Sequence, residues 1–467
     1  MTQFELIVIG SGPGGYRAAV LGALRGLRVA IVEKTEWGGC CLNRGCVPKK
    51  AWYHTAHLLA ASRRFSERGI RGSLRADLGA AWDHQRMVVQ KVRESYLDYM
   101  KRLGITRYEG VATFSDSRHV TVSGASEETS ISGAHCIIAT GASPYVPEPL
   151  RGVSERVLTT DDLFDRPPPS GGHVAIIGGG VIATEFAFIL KLLGKDVTWI
   201  SRRAPLARTR FGPEARSSLA SALSGYGIAS LPLHLEGASS QGAKVVLRFS
   251  DGASPASFDW VLTATGRRPG TDDLNLSAAG VGLTEDGFVA VDEALETASR
   301  GIYAIGDCIG GPMTATQALH DAGVAIANVL GGETRLKRAP RRVPEVIYSA
   351  LEMARIGLDD DEADDAELDA AVGFSAFGTS PEALGQDQTE GFVRILGDMD
   401  SGRFLGGEIV GRDAGELIHL LSLIADGGML ATVAETAFNH PARAEEILNA
   451  VETMASKWNL SNLIFRR

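Results

Sequence analysis

The chain lacks the features that would commit it to a membrane, a nucleic acid or an oxidising compartment. No run of eighteen apolar residues occurs in its 467 positions, so no membrane-spanning helix is expected. The opening MTQFELIVIG enters a strand at once, without the basic and apolar regions of a secretory signal, and a cytoplasmic location is expected. Basic residues are in deficit: 47 Lys and Arg against 56 Asp and Glu give a net charge of −9, which argues against a nucleic-acid surface. The most acidic stretch, LDDDEADDAELD at 358–369, reads as a solvated helix face rather than a partner-binding tail. Cysteine is scarce, with five residues in all. The cluster among them contains no CxxC, so no metal site is expected. In a reducing compartment clustered cysteines point instead to redox work.

What is present points to several cores. A chain of this length exceeds one compact core, and about three domains are expected. With 44% hydrophobic and 22% charged residues there is apolar material for all of them. Three of the cysteines crowd into GGCCLNRGCVPKK at 38–50, between glycines and ahead of a lysine pair.

The first 35 residues read strand, glycine turn, helix, strand: FELIVIG, SGPGG, YRAAVLGALRGL and RVAIVEK. Gly10, Gly12 and Gly15 form GxGxxG, which brings backbone N–H groups and a helix N-terminus against a pyrophosphate. Glu33 ends the second strand, where a carboxylate accepts hydrogen bonds from ribose hydroxyls. The pattern returns in HVAIIGGGVIATEFAFILKLLGKDVTWISRR at 173–203, with Gly178, Gly180 and Ala183 in the three motif positions. The interval from Gly10 to Glu33 equals that from Gly178 to Ser201, so the second site lacks the acid. Ser201, Arg202 and Arg203 offer a hydroxyl and two guanidiniums to a 2′-phosphate, and the second nucleotide is NADP(H) or NAD(H). The alternative leaves both arginines in solvent.

Between the two units, VATFSDSRHVTVSGASEETSISGAHCIIATG alternates like a small antiparallel sheet and closes on an ATG that ends at Gly141. DRPPPSGG at 165–172 reads as a linker. DWVLTATGRRPG at 259–270 closes on a second ATG, ending at Gly266, and GIYAIGDC at 301–308 is a strand ending at Asp307. From about 340, VPEVIYSALEMARIGL, GFVRILG and FLGGEIVG suggest an α+β domain. The fold class expected is α/β, with two Rossmann-like dinucleotide-binding domains, the second inserted in the first, followed by the α+β domain. The segments are 1–145, 146–270, 271–338 and 339–467.

With these motifs in order, the sequence resembles the flavin-dependent pyridine nucleotide–disulfide oxidoreductases, over essentially its whole length. The resemblance implies FAD on 1–145 and 271–338, with Asp307 at its ribityl–phosphate region, NAD(P)(H) on 146–270, and a dimerisation role for 339–467. It identifies the redox pair as Cys41 and Cys46, with Cys46 facing the flavin and Cys41 exchanging with substrate. On a regular helix residues five apart have Cα atoms about 8.5 Å apart, beyond the roughly 4.4–6.8 Å of a disulfide, so the helix start must be distorted. Gly45 gives backbone freedom and Pro48 suits a first turn. Lys50 and Glu185 match an ion pair beside the flavin, where a cation favours the reduced, anionic form. His440 and Glu445 in NHPARAEE match H-P-x-x-x-E, whose His acts as acid–base from the other subunit and implies a homodimer. Cys40, usually threonine in relatives, reads as a small buried filler, and Cys136 and Cys308 as packing residues.

Within the family, the ending NLIFRR carries no second cysteine pair, unlike mercuric reductases and the large thioredoxin reductases. CVPKKAWYHTA looks like the glutathione reductase version of the redox helix. Val324 after Gly323, in place of an arginine for a glutathione carboxylate, suits a lipoyl chain. TEGFVRIL, GRDAGELI and Val181 also resemble the dihydrolipoamide dehydrogenase branch, which is the expected one. The partner is then a small disulfide or dithiol, or a lipoyl group carried on a protein. An NADPH-dependent reductase of a low-molecular-weight disulfide is the alternative. A flavin oxidase or transhydrogenase that bypasses the disulfide, and a non-catalytic flavoprotein, are disfavoured by the intact Cys and His–Glu pairs.

Overall fold

The computed structural model describes residues 2–465 apart from positions 126, 251 and 333. Arg466 and Arg467, the end of the NLIFRR segment, lie outside the described residues. The chain divides into two compact units, Met1–Val174 with Leu235–Arg338, and Ala175–His234 with Ala339–Arg467.

The first unit is built on strand Thr2–Ile9, which pairs in parallel with Val29–Glu33 on one side and with the end of Glu128–Ile138 on the other. The alternating segment after residue 110 does form an antiparallel meander, but it is not a separate sheet. Its last strand, Glu128–Ile138, pairs antiparallel with His119–Ser123 at its start and parallel with Thr2–Ile9 further along. Strand Ile302–Ala304 then pairs with Cys136–Ile138, so the chain returns to the first sheet after leaving it for the second glycine motif. That return makes the segment carrying the second glycine motif an insertion in the chain path of the first sheet.

Strand period sorts the apolar residues into two cores. Leu6 and Val8 pack on the helical side with Ala18, Ala19 and Ala322. Ile7 and Ile9 pack on the other side with Phe114, Val120 and Val122 of the meander. Burial on both faces is why these strands read as unbroken apolar runs. Each fully buried Ile, Leu or Val contributes about 1.5–3 kcal/mol over leaving it exposed.

The second strand–glycine–helix–strand pattern is strand His173–Ile177, helix Val181–Leu192 and strand Asp196–Ile200, and the second unit takes it up from Ala175. Its other part is an antiparallel sheet in the order Glu345–Tyr348, Glu352–Gly357, Phe404–Val410, Phe392–Asp398, Ala370–Ala376. Ala414–Ser422 and Glu445–Lys457 are helices whose Ile418, Leu421, Ile447, Val451 and Met454 join its core. The acidic stretch forms helix Asp360–Asp365, opened by a reciprocal cap between Asp359 and Glu362. Most of its acids are solvated, but Glu362 accepts from Arg210. Among the described residues no helix is long and apolar enough to cross a membrane.

Candidate functional site

The first glycine motif forms a tight turn between strand Thr2–Ile9 and helix Pro13–Leu24. A Cβ on Gly15 would overlap the carbonyl oxygen of Gly10, so only glycine lets the helix Pro13–Leu24 close on the strand. Gly12 caps that helix without a side-chain hydrogen bond, and a Cβ at Gly12 would meet open space. Free N–H groups of a helix N-terminus facing open space suit a pyrophosphate. Glu33 is buried at the strand end, and its carboxylate is held by Ser11, through N–H (2.9 Å) and Oγ (2.6 Å), and by Thr35 N–H (2.9 Å).

The two ATG ends meet in a short antiparallel ribbon, Ala142–Pro144 against Arg267–Pro269. Gly141 and Gly266 both adopt positive φ beside it, and Gly266 O accepts from Tyr145 N–H. Asp307 lies in the turn after Ile302–Ala304, 3.8 Å from Arg267 Nε. Burial raises its carboxyl above the usual range, against the pull of Arg267. Among the described residues, Thr140 Oγ1 and Arg267 Nε are buried without a hydrogen-bond partner. Orphaned donors, an uncapped helix and an acid at the ribose position together fit a bound dinucleotide.

The cysteine cluster lies over this motif. A Cβ on Gly39 would come within 2.6 Å of Gly12 Cα, so the loop and the glycine turn touch backbone to backbone. The expected distortion is present: helix Gly39–Asn43 stops, Arg44 and Gly45 leave helical geometry, and a new helix Cys46–Ser62 begins. The break brings the Cα atoms of Cys41 and Cys46 to 4.7 Å, and the two are joined as a disulfide. Cys46 is the first residue of its helix, which has no side-chain cap, so the helix N-terminus is available to a thiolate. Lys50, one turn on from Cys46, has Nζ 5.5 Å from the Tyr53 ring centre.

Two readings of the sequence are corrected here. Cys40 is not the small buried filler expected: it is only partly buried, and its Sγ lies 3.4 Å from Arg267 Nη2 and 3.9 Å from Asp161 Oδ1. Burial nonetheless raises its thiol pKa, outweighing Arg267. Val324 faces the core beside Ala322 and Ala325 rather than a substrate, so it carries no information on what the enzyme binds. Cys136 and Cys308 are buried, and burial pushes the Cys308 thiol up to about 11.

At the second motif, Gly180 caps helix Val181–Leu192 with no side-chain bond, and Ala183 is fully buried. Ser201 is buried, and its hydroxyl donates to the Arg203 carbonyl at 2.7 Å. The hydroxyl thus braces the loop, and it is the exposed Arg202 and Arg203 that face outward. Glu185 is buried, and its Oε1 accepts the Tyr348 N–H at 2.9 Å.

His440 Nδ1 lies 2.9 Å from Glu445 Oε1, while the ring is 72% exposed in the single chain. The hydrogen bonds from His440 and the Ala442 N–H hold the Glu445 carboxyl below the usual range.

One functional element escaped the sequence reading. Asp321, fully buried, accepts from Gly306 N–H (3.2 Å), Gln317 Nε2 (2.7 Å) and Arg338 Nε (2.8 Å), and so pins the turn that carries Asp307. Its signal was available: Gln317 and Asp321 stand four apart on an otherwise apolar helix face.

Residues 4–322 match the family described as pyridine nucleotide-disulphide oxidoreductase, and residues 343–451 match that family's dimerisation domain. The dihydrolipoyl dehydrogenase of Thermus scotoductus is 34% identical over 97% of this chain and 98% of its own. Dihydrolipoyl dehydrogenase 3 of Haloarcula marismortui is 31% identical over 98% and 97%. Among solved structures, a Cu(II) complex of the HOCl-induced flavoprotein disulfide reductase RclA from Escherichia coli is 26% identical. Its TM-score is 0.84, over 97% of this chain and 99% of that one. LpdA from Mycobacterium tuberculosis, 23% identical, shares the fold with a TM-score of 0.89 over 97% and 99% of the two chains. The chain therefore belongs to the pyridine nucleotide-disulphide oxidoreductases, as a homodimeric FAD enzyme that moves an electron pair between a pyridine nucleotide and its Cys41–Cys46 disulfide.

Proposed function

We propose that the protein oxidises a lipoyl dithiol, free or carried on a protein, with NAD(P) as the electron acceptor. The observation that carries the reading is the Cys41–Cys46 disulfide at an uncapped helix N-terminus; the lipoyl substrate comes from the names of the relatives. In this reading 1–145 and 271–338 hold FAD through Gly10, Gly12, Gly15, Glu33, Gly141 and Asp307. Segment 146–270 holds the nucleotide through Gly178, Gly180, Ala183, Ser201, Arg202, Arg203 and Gly266, and 339–467 forms the dimer interface. Lys50 supplies the cation that favours the reduced, anionic flavin. The free cysteines Cys40, Cys136 and Cys308 support a reducing, cytoplasmic setting.

FAD held by these residues would supply two-electron transfer between the nicotinamide and the cysteines. A substrate thiolate attacks Cys41 Sγ, the Cys41–Cys46 bond breaks, and Cys46 leaves as a thiolate stabilised by its helix N-terminus. The second substrate thiol gives its proton to Nε2 of His440 of the partner subunit and attacks the substrate sulfur of the mixed disulfide. The substrate departs as a disulfide, and its two electrons remain on the cysteine sulfurs. Glu445, bonded to Nδ1, keeps the proton off Nε2 until it is needed.

Steady-state rates with dihydrolipoamide and either oxidised nucleotide, against glutathione disulfide with NADPH, test the reading. Faster turnover of glutathione disulfide would replace it with a low-molecular-weight disulfide reductase, a reading that the exposed Arg202 and Arg203 favour through NADPH. A mixed dimer of Cys41→Ser and His440→Ala chains should regain one working site; no recovery would mean that the site lies within one subunit.

A further inference from the structure

The four residues between the redox cysteines contain an arginine that the disulfide chemistry does not use. Arg44 Nε donates to Asp165 Oδ1 at 2.6 Å, and its Nη2 lies 2.8 Å from Glu36 Oε2. Glu36 is shared with Arg93, whose Nη2 lies 3.0 Å from Oε1 and 2.6 Å from Asn43 Oδ1. Asn43 in turn donates through Nδ2 to the carbonyls of Trp37 (3.1 Å) and Gly39 (2.8 Å). The loop that joins Cys41 to Cys46 is thereby tied to the long helix Leu78–Arg102 through Arg93 and to helix Thr160–Asp165 through Asp165. Burial alone would lower the Arg44 pKa, yet the bonds to Asp165 and Glu36 raise it, so the guanidinium stays charged and engaged throughout the catalytic pH range.

We infer that Arg44 is a positioning residue for the redox pair: with Asp165, Glu36 and Arg93 it holds the broken helix start so that Cys41 and Cys46 stay within bonding reach when reduced. The inference rests on the disulfide cycling proposed above. Closing a disulfide is an intramolecular reaction, and its equilibrium follows the effective concentration of one thiol at the other. A regular helix would carry the two Cα atoms to about 8.5 Å, against 4.7 Å here. A loop free to relax after reduction would drift towards that longer separation and lose effective concentration. The brace opposes the drift and favours the disulfide.

A tether and a charge effect make opposite demands, which gives the test. If Arg44 acted only through its charge, Arg44→Ala would leave two carboxylates near the thiols and disfavour thiolate. Asp165→Asn would leave Arg44 under-compensated and favour it. The two variants would then move the equilibrium in opposite directions. As a tether, both move it the same way, towards the dithiol.

The measurement equilibrates the homodimeric holoenzyme, without nucleotide, in buffers of dihydrolipoamide and lipoamide. There the reagent's two S–H groups give up two electrons and two protons as its own S–S bond forms and the Cys41–Cys46 bond opens. Alkylation and mass spectrometry of the Cys41 and Cys46 peptides read the reduced fraction. Both variants should need a dithiol-to-disulfide ratio about ten-fold lower than wild type for half-reduction, with Arg44→Lys in between. Shifts of opposite sign, or under two-fold in both, overturn the inference. Asp165 is 48% exposed, so Asp165→Asn keeps its shape and supplies a folded variant if Arg44→Ala does not fold. A wild-type pair that does not exchange with dihydrolipoamide at all would instead sink the proposed function.

Discussion

His440 Nδ1 and Glu445 Oε1 lie 2.9 Å apart, and the second oxygen of the same carboxylate accepts the Ala442 N–H at 2.7 Å. The carboxylate is thus fixed by the backbone before it fixes the ring, and a proton on Nδ1 leaves Nε2 free to accept one, the role proposed for it above. His440→Ala should lower thiol–disulfide exchange by roughly 100-fold or more, while reduction of the enzyme by NAD(P)H changes little. Glu445→Gln should cost less, about ten-fold, because the ring remains but its tautomer is no longer enforced. Both bonds hold the Glu445 carboxyl below the usual range. The ring's orientation should therefore persist as pH falls through about 4.3 and be lost only below it. Stopped-flow exchange with dihydrolipoamide across pH checks each point.

Cys41→Ser and Cys46→Ser should each abolish dihydrolipoamide oxidation and leave FAD content unchanged, since the proposed FAD-holding residues are the glycine motif, Glu33 and the Asp307 turn rather than the thiols. Cys40→Ser should keep turnover within about three-fold. Its Sγ is an acceptor for Arg267 at 3.4 Å, a role that a hydroxyl fills, and burial makes the thiol a poor nucleophile. Loss of activity in Cys40→Ser with retention in Cys41→Ser would exchange their assignments.

The parts of the site that were legible in the sequence are those carried by local pattern. Gly10 to Glu33 and Gly178 to Ser201 lie within single strand–helix–strand units, where period and turn chemistry fix the geometry. The His440–Glu445 pair was legible only through the resemblance, which carries H-P-x-x-x-E. The Cys41–Cys46 break followed from comparing helix rise with disulfide reach. Contacts set by tertiary packing were not legible. Arg44 meets Asp165 across 121 positions, and Arg267 meets Cys40 across 227; neither spacing has a periodic signature. Val324 was misread because one residue after a glycine can face the core or the solvent, and only the packing of its helix decides which.

Asp321→Ala should release FAD. The change leaves Arg338, 22% exposed, without its buried partner and frees the Gly306 N–H, a loss on the order of 3 kcal/mol for a broken, largely buried pair. The turn it unpins carries Asp307. The purified variant should have a lower flavin-to-protein ratio, and FAD titration into apoprotein should give affinity weaker by about ten-fold or more. Asp321→Glu, which keeps the charge, should recover part of it. Wild-type flavin content in Asp321→Ala would reduce the network to local packing.

Nucleotide choice turns on Arg202 and Arg203. Ser201 holds the register of the acid that would bind a 2′-hydroxyl, but its own hydroxyl is spent on the Arg203 carbonyl. NAD therefore gains no carboxylate partner at this position, and a 2′-phosphate meets no repulsion. The exposed guanidiniums can each add a charge-assisted bond to that phosphate, worth about 1.5–3 kcal/mol when well aligned. Even the lower figure is about ten-fold in affinity. Wild type should bind NADPH at least as tightly as NADH, and more weakly as salt rises, because exposed charges are screened over about 8–10 Å. Arg202→Ala with Arg203→Ala should weaken NADPH by about ten-fold or more and leave NADH within two-fold, as read by isothermal titration. An equal loss for both nucleotides would mean that the pair supports the loop rather than reading the phosphate. No loss for either would leave the arginines as solvent-facing charges.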